Sequence, residues 1–263
     1  MKKYFPLFWV FYLLCAFSAH AGEGRYTIPL TGGGWSLWLD KEASWQNDRL
    51  YLPHEITDLS LLPVNVPTGG WQTLSHNPDA VPVEVPGTVE EYLTVTDNPR
   101  PENFRGVSWW YRKITIPADQ QKKRFIIYFE SVRMRAEVYL DGKLVAYDLI
   151  GETPFHVDIT DEAKPGKEQL LAIRVTNPGG NFHWQDFDIM KWGEYNIPPS
   201  RSFTGIIGRV KLESVNPVFI SDIYMQNTPE LTKVNAILSF TNETSSSVKQ
   251  DVELIVNEKG NPD

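Results

Sequence analysis

The residues whose types and spacing could do chemistry are concentrated between Asn177 and Ile207. Asp186 and Asp188 are two positions apart, so in an extended chain both carboxylates face the same side. Such a pair could accept hydrogen bonds from sugar hydroxyls, act as the acid and nucleophile of a glycosidase, or bind calcium through hard oxygen ligands. It could equally belong to a solvated loop in which both aspartates accept hydrogen bonds from backbone N–H groups.

Tryptophan offers a second kind of chemistry, because a flat ring can stack on the apolar C–H face of a sugar. Trp184 and Trp192 lie in the same segment as the aspartate pair, and for them sugar contact and burial remain equally open. Trp35, Trp109 and Trp110 lie on predicted strands, where we expect them to be buried in the core.

The sequence gives weaker support for a metal site or for an acid–base pair. His183 and Asp186 supply two possible metal ligands, whereas a zinc site takes three or four, so we predict no metal and no cofactor. Glu90 and Glu91 are adjacent and would point apart on a strand, so they do not form an acid–base pair. The loop that holds the aspartates is long for a hairpin connection, and its aromatic residues argue against disorder.

The elements that must position these residues are strands. The helical period fails nearly everywhere, apart from one or two helical turns predicted near Thr88–Leu93. Asp141-Gly142 separates two alternating segments and is typical of a type I′ hairpin turn. Many short strands at this spacing predict an all-β antiparallel sandwich. The predicted strands are Trp35–Leu39, Val81–Val85, Ser108–Ile116, Arg124–Glu130, Ala136–Leu140, Lys143–Asp148, Phe155–Ile159, Gln169–Thr176 and Gly208–Ser214.

Composition excludes several classes of protein. The chain of 263 residues carries a formal net charge of -8, which disfavours nucleic acid and anionic membranes as partners. It contains one cysteine, so an intramolecular disulfide and a multi-cysteine metal site are excluded.

The N-terminal residues have the features of an export signal. Lys2 and Lys3 precede an apolar run from Tyr4 to Phe17, and Ala19-His20-Ala21 matches an A-x-A cleavage pattern. We therefore expect a signal peptide at residues 1–21, cleavage after Ala21, and a secreted or periplasmic protein with no membrane attachment after cleavage.

A boundary is predicted near Asn216-Pro217. Three more strand-like segments follow it, at Val218–Gln226, Lys233–Thr241 and Val248–Asn257. An immunoglobulin-like sandwich takes about 100 residues and seven strands, so residues 217–263 would form only part of one. The alternative is that these strands pack on the first domain, which we assign to residues 22–216.

An ordered series of motifs resembles the N-terminal sugar-binding domain of glycoside hydrolase family 2, the family of β-galactosidases, β-glucuronidases and β-mannosidases. The series runs through Gly34-Trp35 to Asp40, Val85-Pro86-Gly87-Thr88, Gly106-Val107-Ser108-Trp109-Trp110-Tyr111-Arg112, Ala136–Gly142, Pro154–Thr160, Leu171–Val175 and Gly205-Ile206-Ile207-Gly208-Arg209-Val210.

The resemblance implies a jelly-roll, galactose-binding-like sandwich, then an immunoglobulin-like sandwich, then a (β/α)8 barrel with two catalytic glutamates. A barrel needs about 250 residues of its own, so no catalytic residue is expected in this chain. In relatives with β-galactosidase activity, one asparagine and one aspartate of this domain reach the sugar pocket. The matching positions are Asn103 and either Asp186 or Asp188, although the insertion Met190–Ser202 departs from the galactosidase pattern.

We therefore predict the non-catalytic N-terminal part of an exported family 2 glycoside hydrolase. It would close one wall of a pocket for a terminal sugar through Asn103, Trp184, Asp186 and Asp188, and it would support a barrel of the same polypeptide. Alone, it should hydrolyse nothing. The alternatives are a free-standing secreted carbohydrate-binding module and a structural or adhesion protein of the cell surface.

Overall fold

Strands form where apolar and polar residues alternate, and the computed structural model describes them within residues 24–45, 56, 58–93, 104, 106–177, 204–230, 232–249 and 251–252. The strands there are β1 Arg25–Pro29, β2 Gly32–Asp40, β3 Val81–Val85, β4 Gly87–Thr88, β5 Gly106–Thr115, β6 Arg124–Phe129, β7 Arg135–Leu140, β8 Lys143–Asp148, β9 Phe155–Asp158, β10 Glu168–Asn177, β11 Gly205–Ile206, β12 Val210–Val215, β13 Val218–Asn227 and β14 Val234–Asn242. The α-helix in this part of the chain is α1, Val89–Tyr92, and 3-10 turns span Leu59–Leu61, Trp71–Ser75 and Ala118–Gln120.

Two antiparallel sheets make up the body of the protein. One has six strands in the order β3-β2-β5-β10-β7-β8, and the other has four in the order β1-β12-β6-β9. Two-stranded sheets pair β4 with β11 and β13 with β14. This architecture confirms the predicted all-β sandwich. The predicted export signal, residues 1–21, lies outside the described residues.

The sandwich interior is a single apolar cluster to which both sheets contribute. Trp35 and Trp110 come from the six-stranded sheet, and Ile127 and Phe129 come from the four-stranded sheet. Each is at most 1% exposed, and burial of apolar surface of this kind is the main force that stabilises a fold. The Trp35 indole N–H donates to the Leu30 carbonyl at 2.7 Å, so its polar atom is also satisfied.

A second apolar cluster covers the outer face of the six-stranded sheet. Trp109 and Tyr139 lie there beneath Trp71, with ring centroids 5.7 Å and 5.0 Å from that of Trp71. The Trp109 indole N–H donates to Asp40 Oδ2 at 3.2 Å. All three strand tryptophans are buried, as predicted, but Trp109 packs under this outer covering rather than between the sheets.

Local turn chemistry also follows the prediction. Asp141 and Gly142 both have positive φ, 48° and 83°, and they join β7 to β8. The Asp141 carboxylate accepts the Leu170 N–H at 2.9 Å. The predicted helical turn is α1, where Thr88 caps the N-terminus by accepting the Glu91 N–H at 3.2 Å.

Beyond Pro217, β13 and β14 form a hairpin with a register shift between Ile220 and Asp222. Several large apolar side chains of this hairpin are about half exposed: Ile223, Tyr224, Met225, Val234, Ile237 and Phe240. Residues 248, 249, 251 and 252 of the third predicted strand are irregular, and the rest of that segment lies outside the described residues. Across the part of the chain that the structure describes, no helix is long and apolar enough to cross a membrane.

Candidate functional site

The four predicted sugar contacts, Asn103, Trp184, Asp186 and Asp188, lie outside the described residues, as does the whole of 178–203. The residues that flank these positions are described, and they locate the ends of both segments. Phe104 follows Asn103, while Asn177 and Thr204 flank 178–203. The geometry of these flanking residues therefore defines the candidate site.

The described residues next to Asn103 and before residue 178 lie side by side. β5 begins at Gly106 and β10 ends at Asn177, and these two residues are paired in register. The Asn177 side-chain amide donates to the Phe104 carbonyl at 2.6 Å, and Asn177 is fully buried. The structure thus brings together the residue after Asn103 and the residue before the aspartate-rich segment.

Thr204 is the residue that follows the 178–203 segment, and it is fully buried. Its N–H donates to Glu90 Oε2 at 3.2 Å, and its hydroxyl donates to the Arg133 carbonyl at 3.0 Å. Its own carbonyl accepts the Val89 N–H at 2.8 Å. Every polar group of Thr204 is therefore held by α1 or by the chain that leads into β7.

Glycine makes this corner possible. Gly205 has a φ of 151°, and a Cβ at this position would lie 2.4 Å from the Gly87 carbonyl oxygen. Since only glycine avoids that overlap, the β4–β11 pairing of Gly205 with Thr88 requires it. The sequence therefore specifies this corner through a residue with no side chain.

Glu90 is the titratable group of the corner. Its Oε1 is buried and has no hydrogen-bond partner of good geometry in the described part of the chain. Burial raises the pKa of Glu90 above its ordinary value. The backbone N–H groups of Glu90, Thr204 and Phe104 lower the pKa by a smaller amount, and the charge of Arg133 lowers it least. The Arg133 guanidinium is also paired with Glu152 at 3.3 Å.

A buried ionic network lies on the outer face of the six-stranded sheet. Arg174 Nη1 donates to Glu137 Oε1 at 2.8 Å, and both side chains are at most 4% exposed. Glu137 Oε2 accepts the Tyr139 hydroxyl at 2.7 Å and the Asn65 side-chain amide at 2.8 Å. The carboxylate of Glu137 is thus bonded on both oxygens, so its role is to hold neighbouring residues.

A second arginine joins this network toward the end of the sheet where β10 finishes. Arg135 Nη2 lies 3.4 Å from Glu137 Oε1 and 3.1 Å from Thr176 Oγ1. Arg174 also donates to Thr176 Oγ1 at 3.1 Å and to the Ser44 carbonyl at 3.0 Å. These bonds fix the residues just before Asn177, so the network supports the same end of β10 that borders the candidate site.

The described residues include no group of three or more His, Cys, Asp or Glu side chains arranged to hold a metal ion. Glu90 and Glu91 lie on the helical turn α1 rather than on a strand, with Glu90 partly buried and Glu91 exposed. What the corner offers is a fixed backbone at Asn177 and Thr204, the two described residues on either side of 178–203.

Sequence reasoning missed Glu90, Thr204 and the Glu137–Arg174 pair. A local signal existed for Glu137, because it alternates with apolar residues inside a predicted strand, yet alternation alone does not separate a buried outer face from a solvated one. No local signal identifies Glu90 or Thr204, since they are 114 residues apart in sequence and meet only in the folded chain.

The family model described as "Glycosyl hydrolases family 2, sugar binding domain" matches residues 32–197. A β-glucuronidase from Formosa agariphila is 31% identical over 118 residues, which are 45% of this chain and 12% of that protein. A β-galactosidase from Thermoanaerobacter pseudethanolicus is 32% identical over 124 residues, which are 47% of this chain and 16% of that protein.

Solved structures share the fold. A β-glucuronidase from an uncultured Clostridium species has a TM-score of 0.53 and 20% identity, and the match covers 92% of this chain and 36% of that one. The Ruminococcus gnavus β-glucuronidase in complex with D-glucuronic acid has a TM-score of 0.58 and 19% identity, over 84% of this chain and 35% of that one. The chain thus spans about a third of these solved relatives and a smaller share of the curated ones.

Proposed function

This chain belongs to family 2 of the glycosyl hydrolases, and from that membership we propose that its sandwich binds the terminal sugar of a glycoside and forms one wall of the pocket that holds it. The observation that carries the proposal is that Phe104, which is bonded to Asn177, and Thr204 both interact through their backbone with the Glu90 carboxyl. Chain segments that leave a rigid scaffold at one place are where proteins usually carry binding residues.

Within this proposal, Asn103, Trp184, Asp186 and Asp188 are the sugar contacts. An amide and two carboxylates suit hydroxyl groups, which both donate and accept hydrogen bonds, and an indole ring suits the apolar face of a sugar. The fixed ends at Asn177 and Thr204 support this assignment, because they limit where the intervening segment can reach.

We propose a β-glucuronide as the substrate class. The support is that relatives found both by sequence and by structure carry the name β-glucuronidase, including one solved with D-glucuronic acid. Hydrolysis itself would come from a (β/α)8 barrel of the same polypeptide, and the 263-residue chain alone would bind without turnover.

Two further parts of the proposal concern the ends of the chain. Residues 1–21 would direct export and be removed after Ala21, so N-terminal sequencing of the secreted protein should begin at Gly22. Recovery of the protein in the cytoplasm with Met1 intact would contradict this. Residues 217–263 would belong to an immunoglobulin-like sandwich, and the half-exposed apolar residues of β13 and β14 support a face that packs against other strands.

The proposed function is tested by titrating the 263-residue chain with D-glucuronic acid and D-galactose in a calorimeter. We expect D-glucuronic acid to bind more tightly, and Asp186→Ala or Asp188→Ala to weaken binding. Asp119→Ala is the matched control, because Asp119 is exposed and follows the opposite end of β5. Failure of both sugars to bind, or rapid hydrolysis of an aryl β-glucuronide by this chain, would refute the proposal.

A further inference from the structure

Arg112, on β5, differs from the other described arginines in having no carboxylate partner in the described part of the chain. Each of the others forms an ion pair with an aspartate or a glutamate: Arg25, Arg124, Arg133, Arg135, Arg174 and Arg209. Arg112 is partly buried, and burial lowers the pKa of its guanidinium with no opposing charge among the described residues. Because an unpaired cation is costly to bury, an anion that binds here would stabilise the fold.

One nitrogen of the guanidinium holds Arg112 in place. Arg112 Nη1 donates to the Leu30 carbonyl at 2.9 Å and lies 3.5 Å from the Gly33 carbonyl oxygen. The guanidinium carbon lies 5.3 Å from the centroid of the Trp35 ring, which is a cation–π contact. The Trp35 indole N–H donates to the same Leu30 carbonyl. The orientation of Arg112 is therefore fixed by the backbone and an indole ring rather than by a charged side chain.

The other two nitrogens of Arg112 have no hydrogen-bond partner among the described residues. Nε is buried and unbonded, and both hydrogen bonds of the side chain come from Nη1. Nε and Nη2 share one edge of the planar guanidinium, where their N–H bonds point in the same direction. This edge matches two oxygens of a carboxylate or a sulfate group, which arginine binds through two parallel hydrogen bonds.

Glycine borders the unbonded edge of Arg112. Gly33 and Gly34 are exposed, and they form an irregularity in the pairing of β2 with β3. A Cβ at Gly34 would lie 3.5 Å from Arg112 Nη2 and 3.8 Å from Cζ, and apart from its chain neighbours it would meet no other described heavy atom within 4 Å. A side chain at position 34 would thus extend over the guanidinium, whereas glycine lets an anion approach Nη2 from solvent.

We propose that Arg112, beside Gly33 and Gly34, is a binding site for an oxyanion carried by a carboxylate or a sulfate group. Arg112 supplies the charge and two parallel hydrogen bonds from Nε and Nη2. Gly106 begins β5, and Arg112 lies about 20 Å further along that strand. The site uses no residue of the proposed sugar pocket, so this inference does not depend on the proposed function.

The test follows the Nε–H resonance of Arg112 by NMR in the 263-residue chain. Sodium sulfate and sodium acetate are added in separate titrations, while sodium chloride holds the ionic strength at about 0.15 M. We expect a saturable shift of this resonance, half complete at about 1 mM. Saturation by sulfate alone assigns a sulfate site and saturation by acetate alone assigns a carboxylate site, and either result supports the proposal.

Arg112→Lys keeps the positive charge and removes the two-pronged edge, so the binding anion should bind about tenfold more weakly. The affinity is measured from the rise in melting temperature with anion concentration at constant ionic strength. The matched control is Arg209→Lys, because Arg209 is exposed and already paired with Glu130. Sulfate raises the melting temperature of many proteins by exclusion from their surface, and this control retains that general effect.

The outcomes that overturn the proposal are specific. A wild-type Nε–H resonance that neither anion shifts to saturation overturns it, and this result stands even if Arg112→Lys does not fold. An Arg112→Lys variant whose melting temperature responds to the anion as strongly as that of Arg209→Lys also overturns it. Failure of D-glucuronic acid and D-galactose to bind would refute the proposed function and leave this inference unchanged.

Discussion

The side-chain amide of Asn177 donates to the backbone carbonyl of Phe104 at 2.6 Å, and this bond ties the end of β10 to the chain that enters β5. The two residues are 73 positions apart in sequence, yet each borders a segment with predicted sugar contacts. This bond adds to the pairing of Gly106 with Asn177 in joining the residues that border the two segments.

Replacing Asn177 with alanine should lower the free energy of unfolding by about 1–3 kcal/mol, because a buried acceptor at Phe104 is left unpaired. Urea denaturation measures the change. Gln72→Ala is the matched control, since Gln72 also donates to a backbone carbonyl, at 2.7 Å, but on the surface. A control that costs as much as Asn177→Ala would show that burial of the bond is unimportant.

Glu90 should make stability depend on pH. Burial raises the pKa of Glu90 in the folded chain above its ordinary value of 4.5. The folded chain therefore binds this proton more tightly than the unfolded chain does, and protonation of Glu90 stabilises the fold. The contribution of this protonation to the free energy of unfolding is fully present below pH 4.5 and is lost as the pH rises through the raised pKa. The charge that acts on Glu90 is the guanidinium of Arg133, which lowers the pKa less than burial raises it and is itself paired with Glu152 at 3.3 Å.

Glu90→Gln should therefore match the wild type in acid and exceed it near neutral pH by less than about 1 kcal/mol, because partial exposure screens the charge. Thermal unfolding at about pH 4 and about pH 7 measures the difference between the two proteins. A variant that is less stable than the wild type at the higher pH would contradict the assigned sign.

Glu137→Ala should destabilise the fold by about 3–5 kcal/mol, because it leaves the guanidinium groups of Arg135 and Arg174 without their shared carboxylate. The control is Glu168→Ala, which breaks an exposed pair with Lys113 and should cost less than about 1 kcal/mol. Chemical denaturation of both variants distinguishes the buried pair from the exposed one. An equal loss in the free energy of unfolding for both variants would show that burial does not strengthen the Glu137 ion pairs.

Gly205→Ala should lower stability by about 2 kcal/mol or more, because the new methyl group would overlap the Gly87 carbonyl at a φ of 151°. Gly33→Ala is the matched control, since a Cβ there meets no heavy atom within 4 Å among the described residues. Melting temperatures of the two variants measure the difference. A well-tolerated alanine at position 205 would mean that the corner can open without cost.

Much of the sandwich could be predicted from local sequence. Alternation predicted β3 and β8 with their observed bounds and most other strands to within two residues, and Asp141-Gly142 marked the β7–β8 turn. The short pairings were missed. β1 was not predicted, since Arg25–Pro29 becomes a strand by pairing with Val215–Lys211, almost two hundred residues away.

For the candidate site, the sequence by itself determined which residues could contact a sugar, because residue type and spacing are local properties. It also determined the family, through an ordered series of short motifs that the family model matches over residues 32–197. Only the tertiary structure decided that Asn177 bonds to Phe104 and that the backbones of Phe104 and Thr204 both interact with Glu90. The physical reason is that a buried N–H or carboxyl takes whichever partner the packed strands bring to it, and that choice depends on the whole topology.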